Sequence, residues 1–211
     1  MPNHAYQNFW IGVVFGVIAV LSSKAILNTT VLAHQQPLAS SVLNHNKELT
    51  RLFLQDQSDR KPANGKPIDW TVVEPRDRAR EARVKELYTT DRLYTGPDYY
   101  HAAMILQHAL MPEDYLLAHE LCVVAISKGV EDAKWLAAAS EDRFLMSINR
   151  PQRFGTQYRS MDNQPIHLYE VTPAVTDSLR HDFNVPPLAQ ARERETLFNV
   201  HPKPKFDQKR E

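Results

Sequence analysis

The rhythm of apolar positions divides the chain. From Phe9 to Leu27, FWIGVVFGVIAVLSSKAIL, they run almost without a break, interrupted only by Ser22, Ser23 and Lys24. That length approaches the roughly 20 residues a bilayer-spanning helix needs. The uninterrupted part, Phe9 to Leu21, also has the length of a signal-peptide core, with cleavage conceivable after Ala25 or Ala33. No lysine or arginine precedes Phe9, so the basic leader of a signal peptide is missing and an uncleaved anchor is favoured. The expected product is a single-pass membrane protein with its soluble domain outside the cytoplasm. Signal cleavage would make it secreted or periplasmic instead. Residues 1–8 read as a lead, 9–27 as the membrane segment and 28–46 as a polar tether.

Beyond the tether the period becomes helical. Leu49, Leu52 and Phe53 mark one face of a helix that the proline- and glycine-bearing KPANGKP ends. IDWTVV reads as short and extended, and Glu74-Pro75 as the start of a helix whose mixed charges form a solvated face. Next comes a run of helical hairpins. Pro97 suits a helix beginning near Thr95, Pro112 ends it and opens another, and Gly129 separates that one from a third led by Glu131 and Asp132. After Gly155, two weakly alternating runs around MDNQP predict a small β-hairpin, followed by a short helix in TPAVTDSLRHDF. The fold class is mainly α: a helical-hairpin core of the tetratricopeptide (TPR) or Sel1-like kind with a small C-terminal β-hairpin. Residues 47–190 form this domain, and 191–211 a peripheral charged tail.

Composition narrows the chemistry by exclusion. Lysine plus arginine equal aspartate plus glutamate at 25 each, so no net field favours nucleic acid. The single cysteine, Cys122, excludes an internal disulfide and a cysteine-clustered zinc site. No phosphate-binding loop, dinucleotide fingerprint or serine elbow occurs, and no cofactor is implied. His101, His108 and His119 lack compact metal-ligand spacing, so no metal is expected.

The informative residues are polar groups on apolar faces. Asp56 and Arg60 continue the Leu49 stripe and are one turn apart, where they can pair. Gln107 and His108 interrupt the otherwise apolar AAMILQHAL, and a helix apolar all round must give its polar groups partners. Asp142 and Arg143 straddle a stripe set by Trp135, Leu136, Ala139 and Met146. Gly155 lets the chain turn tightly, so that Thr156 and Gln157 can fold back on Asp142 and Arg143. Two readings compete. One is a structural network that fixes helix register. The other is a pocket in which Asp56 or Asp142 tunes His108 as a general acid or base while Arg60 or Arg143 holds an anionic group.

In order along the chain, LQDQSDR, AAMILQHALMPEDYLLAHE, WLAAASEDRFLMS and PQRFGTQ resemble a bacterial group, domain-of-unknown-function family 6624 (DUF6624). The resemblance spans roughly residues 47–188 and lands on Asp56, Gln57, Arg60, Gln107, His108, Asp142, Arg143, Gln152, Gly155, Thr156 and Gln157. Many members have glycine where this chain has Ala109. The resemblance implies an α-rich fold with a short β element and supplies no activity. The functional expectation is a membrane-tethered binding or interaction module for a small polar ligand or a protein partner. The alternative is a hydrolase- or transferase-type enzyme using His108.

Overall fold

The computed structural model describes residues 44–61, 68–160 and 165–200. Within these, the chain folds mainly as helices: α1 (Lys47–Asp59), α2 (Trp70–Thr89), α3 (Gly96–Leu106), α4 (Pro112–Ser127), α5 (Ala133–Ser147), α6 (Asp177–Asp182) and α7 (Leu188–Val200). One antiparallel sheet pairs β1 (Tyr158–Arg159) with β2 (His167–Leu168), in the register Tyr158 to Leu168 and Arg159 to His167. The expected hairpin is therefore present, though short. Among the described residues no helix is long and apolar enough to cross a membrane. The anchor expected at 9–27 and the tether up to residue 43 lie outside them.

Local signals explain most helix ends. The Asn46 side chain accepts from the Leu49 amide to start α1. Thr95 and Asp98 form a reciprocal capping box at α3, with Pro97 in its first turn. Gly129 leaves α4 at φ +86°, and the Val130 amide reaches back to the Ala125 carbonyl, the closing bond of a left-handed helix end.

Three expectations need correction. α2 begins at Trp70 rather than Pro75, because the Asp69 carboxylate caps the Thr71 amide. Pro75 then falls early in the helix, where its missing N–H frees only the carbonyl of the exposed Thr71. α3 stops at Leu106, before Gln107 and His108, so neither lies inside a helix all of whose sides are buried. Trp135 is 40 % exposed; the buried face of α5 is carried by Leu136 and the small Ala133, Ala137, Ala138 and Ala139. In addition, Leu188–Val200, which falls mostly in the expected peripheral tail, forms α7, and its Ala191 is buried.

The main core gathers Leu49, Leu52, Val84, Leu87, Ala102, Leu106, Leu121, Cys122 and Leu136, with α4 packed against both α3 and α5. Alanines at these contacts let backbones approach closely, and filling the gaps with aliphatic side chains gives close-packed density. A second cluster of Ala138, Phe154, Val175 and Val185 joins the middle of α5 to the segments flanking α6, with the Phe154 and Phe183 rings 4.9 Å apart. The polar groups of interest sit at the borders of these two cores.

Candidate functional site

The expected polar residues form two separate constellations. The first is centred on Asp56, fully buried on α1. Its Oδ1 accepts from the Arg60 guanidinium at 2.8 Å, and Gln57 donates its side-chain amide to Oδ2 at 2.8 Å. Arg60 also grips Asp77 of α2 with both terminal nitrogens, at 3.2 and 2.8 Å. Arg80, 5 % exposed, donates to Asp59 and Asp77, and Arg76 completes the array on Asp59. Desolvation disfavours the charges here, yet the paired hydrogen bonds win: Asp77 titrates below its ordinary range and Arg80 above its own.

His108 reaches this array because the chain leaves α3 one turn before Pro112 would force it to. Its Nδ1 lies 3.1 Å from Asp56 Oδ1. The carboxylate already accepts from Arg60, so Nδ1 carries the proton and donates. Burial pushes the imidazole pKa down, and Arg60 and Arg143 reinforce that, while Asp56 opposes it. The net direction is downward, so the ring is neutral at pH 7 and Nε2 presents a lone pair. Nε2 has no partner among the described residues, and the side chain keeps 16 % of its surface exposed. The turn that holds the ring is pinned by Tyr115, whose hydroxyl donates to the Ala109 carbonyl at 2.7 Å.

Arg143 of α5 faces the same region, within electrostatic reach of His108, Arg60 and Tyr115. Its Nε is sealed from solvent and has no acceptor, and no carboxylate among the described residues pairs with its guanidinium. Burial and the Arg60 charge press its pKa downward, but arginine remains protonated at any physiological pH. An arginine in this state is costly to the fold. Gln107, the sequence neighbour of His108, instead directs its amide nitrogen to the Met104 sulfur.

The second constellation surrounds Asp142, fully buried on the opposite side of α5. Oδ1 accepts the Arg153 and Phe154 amides at 2.7 and 2.9 Å, and Oδ2 accepts the Thr156 amide at 3.0 Å and its hydroxyl at 2.8 Å. Gln152, also fully buried, spans the loop: Nε2 donates to the Gln157 and Tyr169 carbonyls, and Oε1 accepts the Gln157 amide. The Gln157 side chain reaches the Ala139 carbonyl and the Thr156 hydroxyl. Buried Arg180 closes the far side by donating to the Phe154, Arg153 and Val175 carbonyls. Gly155 sits at φ +76° within this loop, where a side chain is disfavoured, and an added Cβ would touch Leu188 at 3.4 Å. Every acceptor of Asp142 is thus engaged by the loop, leaving it nothing with which to tune His108. Asp142, Gln152, Gly155, Thr156 and Gln157 build a clamp that ties the sheet to α5.

The metal candidates stay apart: His101 stacks on Phe53 with ring centroids 4.2 Å apart, and His119 bonds the Ala137 carbonyl. Among the described residues no cluster of three histidine, cysteine or carboxylate side chains could hold an ion. Two open depressions of about 470 and 640 Å³ flank α1 near Thr50 and Glu48, and neither is lined by His108 or Arg143. Sequence reasoning missed Asp77, Arg80 and Arg180. For Arg80 a signal existed: Val73, Arg80, Val84 and Leu87, the buried residues of α2, share one helical stripe. Comparison with protein-family profiles, with curated proteins and with solved structures found no match.

Proposed function

We propose that the domain is a binding module for a small anionic ligand, taken between Arg143 and His108. The observation that carries this reading is Arg143 itself, whose enclosed Nε lacks an acceptor and whose charge meets no carboxylate among the described residues. Arg143 is half-buried, with its Nε sealed from solvent, and a cation held there without a counter-charge is completed by an anion. The other arginines of the site are already committed to carboxylates. The test is thermal unfolding of the full chain with sodium acetate or sodium phosphate titrated at constant ionic strength. Saturable stabilisation of the wild type that Arg143→Met abolishes is the expected result. An equal shift in both proteins, or none in either, refutes the site.

The Asp56–His108 pair favours a second reading, a hydrolase- or transferase-type enzyme. A neutral imidazole oriented by a buried carboxylate through Nδ1, with Nε2 open, is the arrangement a general base requires. Two broader elements complete the proposal. The apolar run at 9–27 supports tethering of the module to a membrane, with the helical domain outside the cytoplasm. The ordered motifs from LQDQSDR to PQRFGTQ support kinship with family 6624, and the alanine-rich contacts of successive antiparallel helices support a TPR/Sel1-like core.

A further inference from the structure

Charge and hydrogen-bond polarity at this site restrict what the anion can be; the inference rests on the proposed anion site. Asp56, Asp59 and Asp77 are matched by Arg60, Arg76 and Arg80, so the array is neutral within itself. The neutral His108 adds nothing at pH 7, and the Tyr115 hydroxyl donates to a backbone carbonyl. Among the described residues Arg143 is therefore one surplus positive charge. A monoanion balances it, whereas a dianion brings a second charge into a partly desolvated site with nothing to meet it.

Hydrogen bonding adds a second restriction. Because His108 donates through Nδ1 to Asp56, its Nε2 accepts. A ligand atom facing Nε2 must carry a proton to donate. An unsubstituted carboxylate satisfies the arginine but has no donor left for the imidazole.

We propose that the ligand is a small hydroxycarboxylate, its carboxylate on Arg143 and its hydroxyl donating to His108 Nε2. The test is calorimetric titration of the full chain at pH 7.5 with glycolate, acetate and phosphate, in wild type, His108→Phe, His108→Gln and Arg143→Met. In the wild type glycolate binds about 3- to 10-fold tighter than acetate, the range one net hydrogen bond provides. His108→Phe erases that preference while acetate binding persists, and Arg143→Met abolishes both. Phosphate, largely a dianion at this pH, binds more weakly than glycolate. Should neither histidine variant fold, the wild type alone decides.

Glycolate no tighter than acetate, a preference that survives His108→Phe, or phosphate tighter than glycolate overturns the hydroxycarboxylate assignment and leaves the anion site standing. Absence of acetate and glycolate binding, or binding unchanged in Arg143→Met, overturns the anion site itself.

Discussion

Replacing Asp142 with asparagine tests the division of the polar residues into a clamp and a ligand site. The carboxylate is fully buried and accepts three backbone amides and one hydroxyl. Asparagine fits the same space but offers one oxygen and one amino group. Its best orientation keeps the oxygen on the Arg153 and Phe154 amides. The amino group then faces Thr156, whose hydroxyl can rotate to accept, but whose amide meets another donor. One buried N–H left unmet costs about 1–3 kcal/mol, and the two surviving bonds lose their charge assistance. The sum is about 3 kcal/mol, equivalent to a fall of roughly 10 °C in Tm for a domain of this size. Urea unfolding of the full chain, followed by tryptophan fluorescence, measures it. Thr156→Val, which removes only the hydroxyl, should cost about 1 kcal/mol in the same assay. A loss below about 1 kcal/mol for Asp142→Asn would show that the loop does not depend on this carboxylate.

Four further outcomes follow from the same geometry. Arg143→Met should leave the urea midpoint unchanged or raise it, since it removes a half-buried cation with no carboxylate partner among the described residues; a loss above about 2 kcal/mol would mean that the guanidinium has a structural partner. Gly155→Ala should cost about 1–2 kcal/mol because of the positive φ, and a neutral effect on the melting curve would contradict that backbone conformation. Asp77, lowered by Arg60 and Arg80 in spite of burial, adds stability that is complete above the usual carboxylate range and lost as pH falls through its depressed pKa. The stability gap between wild type and Asp77→Asn should therefore narrow from pH 7 towards pH 3, and a constant gap argues against the linkage. Cys122 is buried, and burial pushes its thiol up to about 12, so a thiol reagent at pH 8 should label it at the rate of unfolding. Labelling that is fast and independent of urea would place the thiol at the surface.

Much of the scaffold was legible in sequence because its signals are local. Thr95 with Asp98, Pro97 and Gly129 set helix ends through bonds between near neighbours, and the stripe from Leu49 to Arg60 follows from helical period alone. The polar residues stood out for the same reason: Asp56 and Asp142 interrupt apolar faces and are fully buried. Pro75 misled because a proline can stand at several places in the first turns, and the Asp69 cap decided which.

What tertiary structure alone decided is partnership. Periodicity places Asp56, His108, Asp142 and Arg143 on inward faces but does not say which face meets which. Asp142 and Arg143 are adjacent in sequence, yet the roughly 100° step between successive helical residues turns one to the loop and the other towards Arg60 and Tyr115. Across α1 and α2, Arg60 meets Asp77 at a sequence separation of 17, a contact set by packing of the two helices. The charges of α2 read as a solvated face when judged by their mixed order alone, whereas the stripe that Arg80 shares with Val73, Val84 and Leu87 is what marks it as buried. Side-chain type and period determined which residues need partners; only the packing of the helices determined that Asp142 has all of its own and Arg143 has none among the described residues.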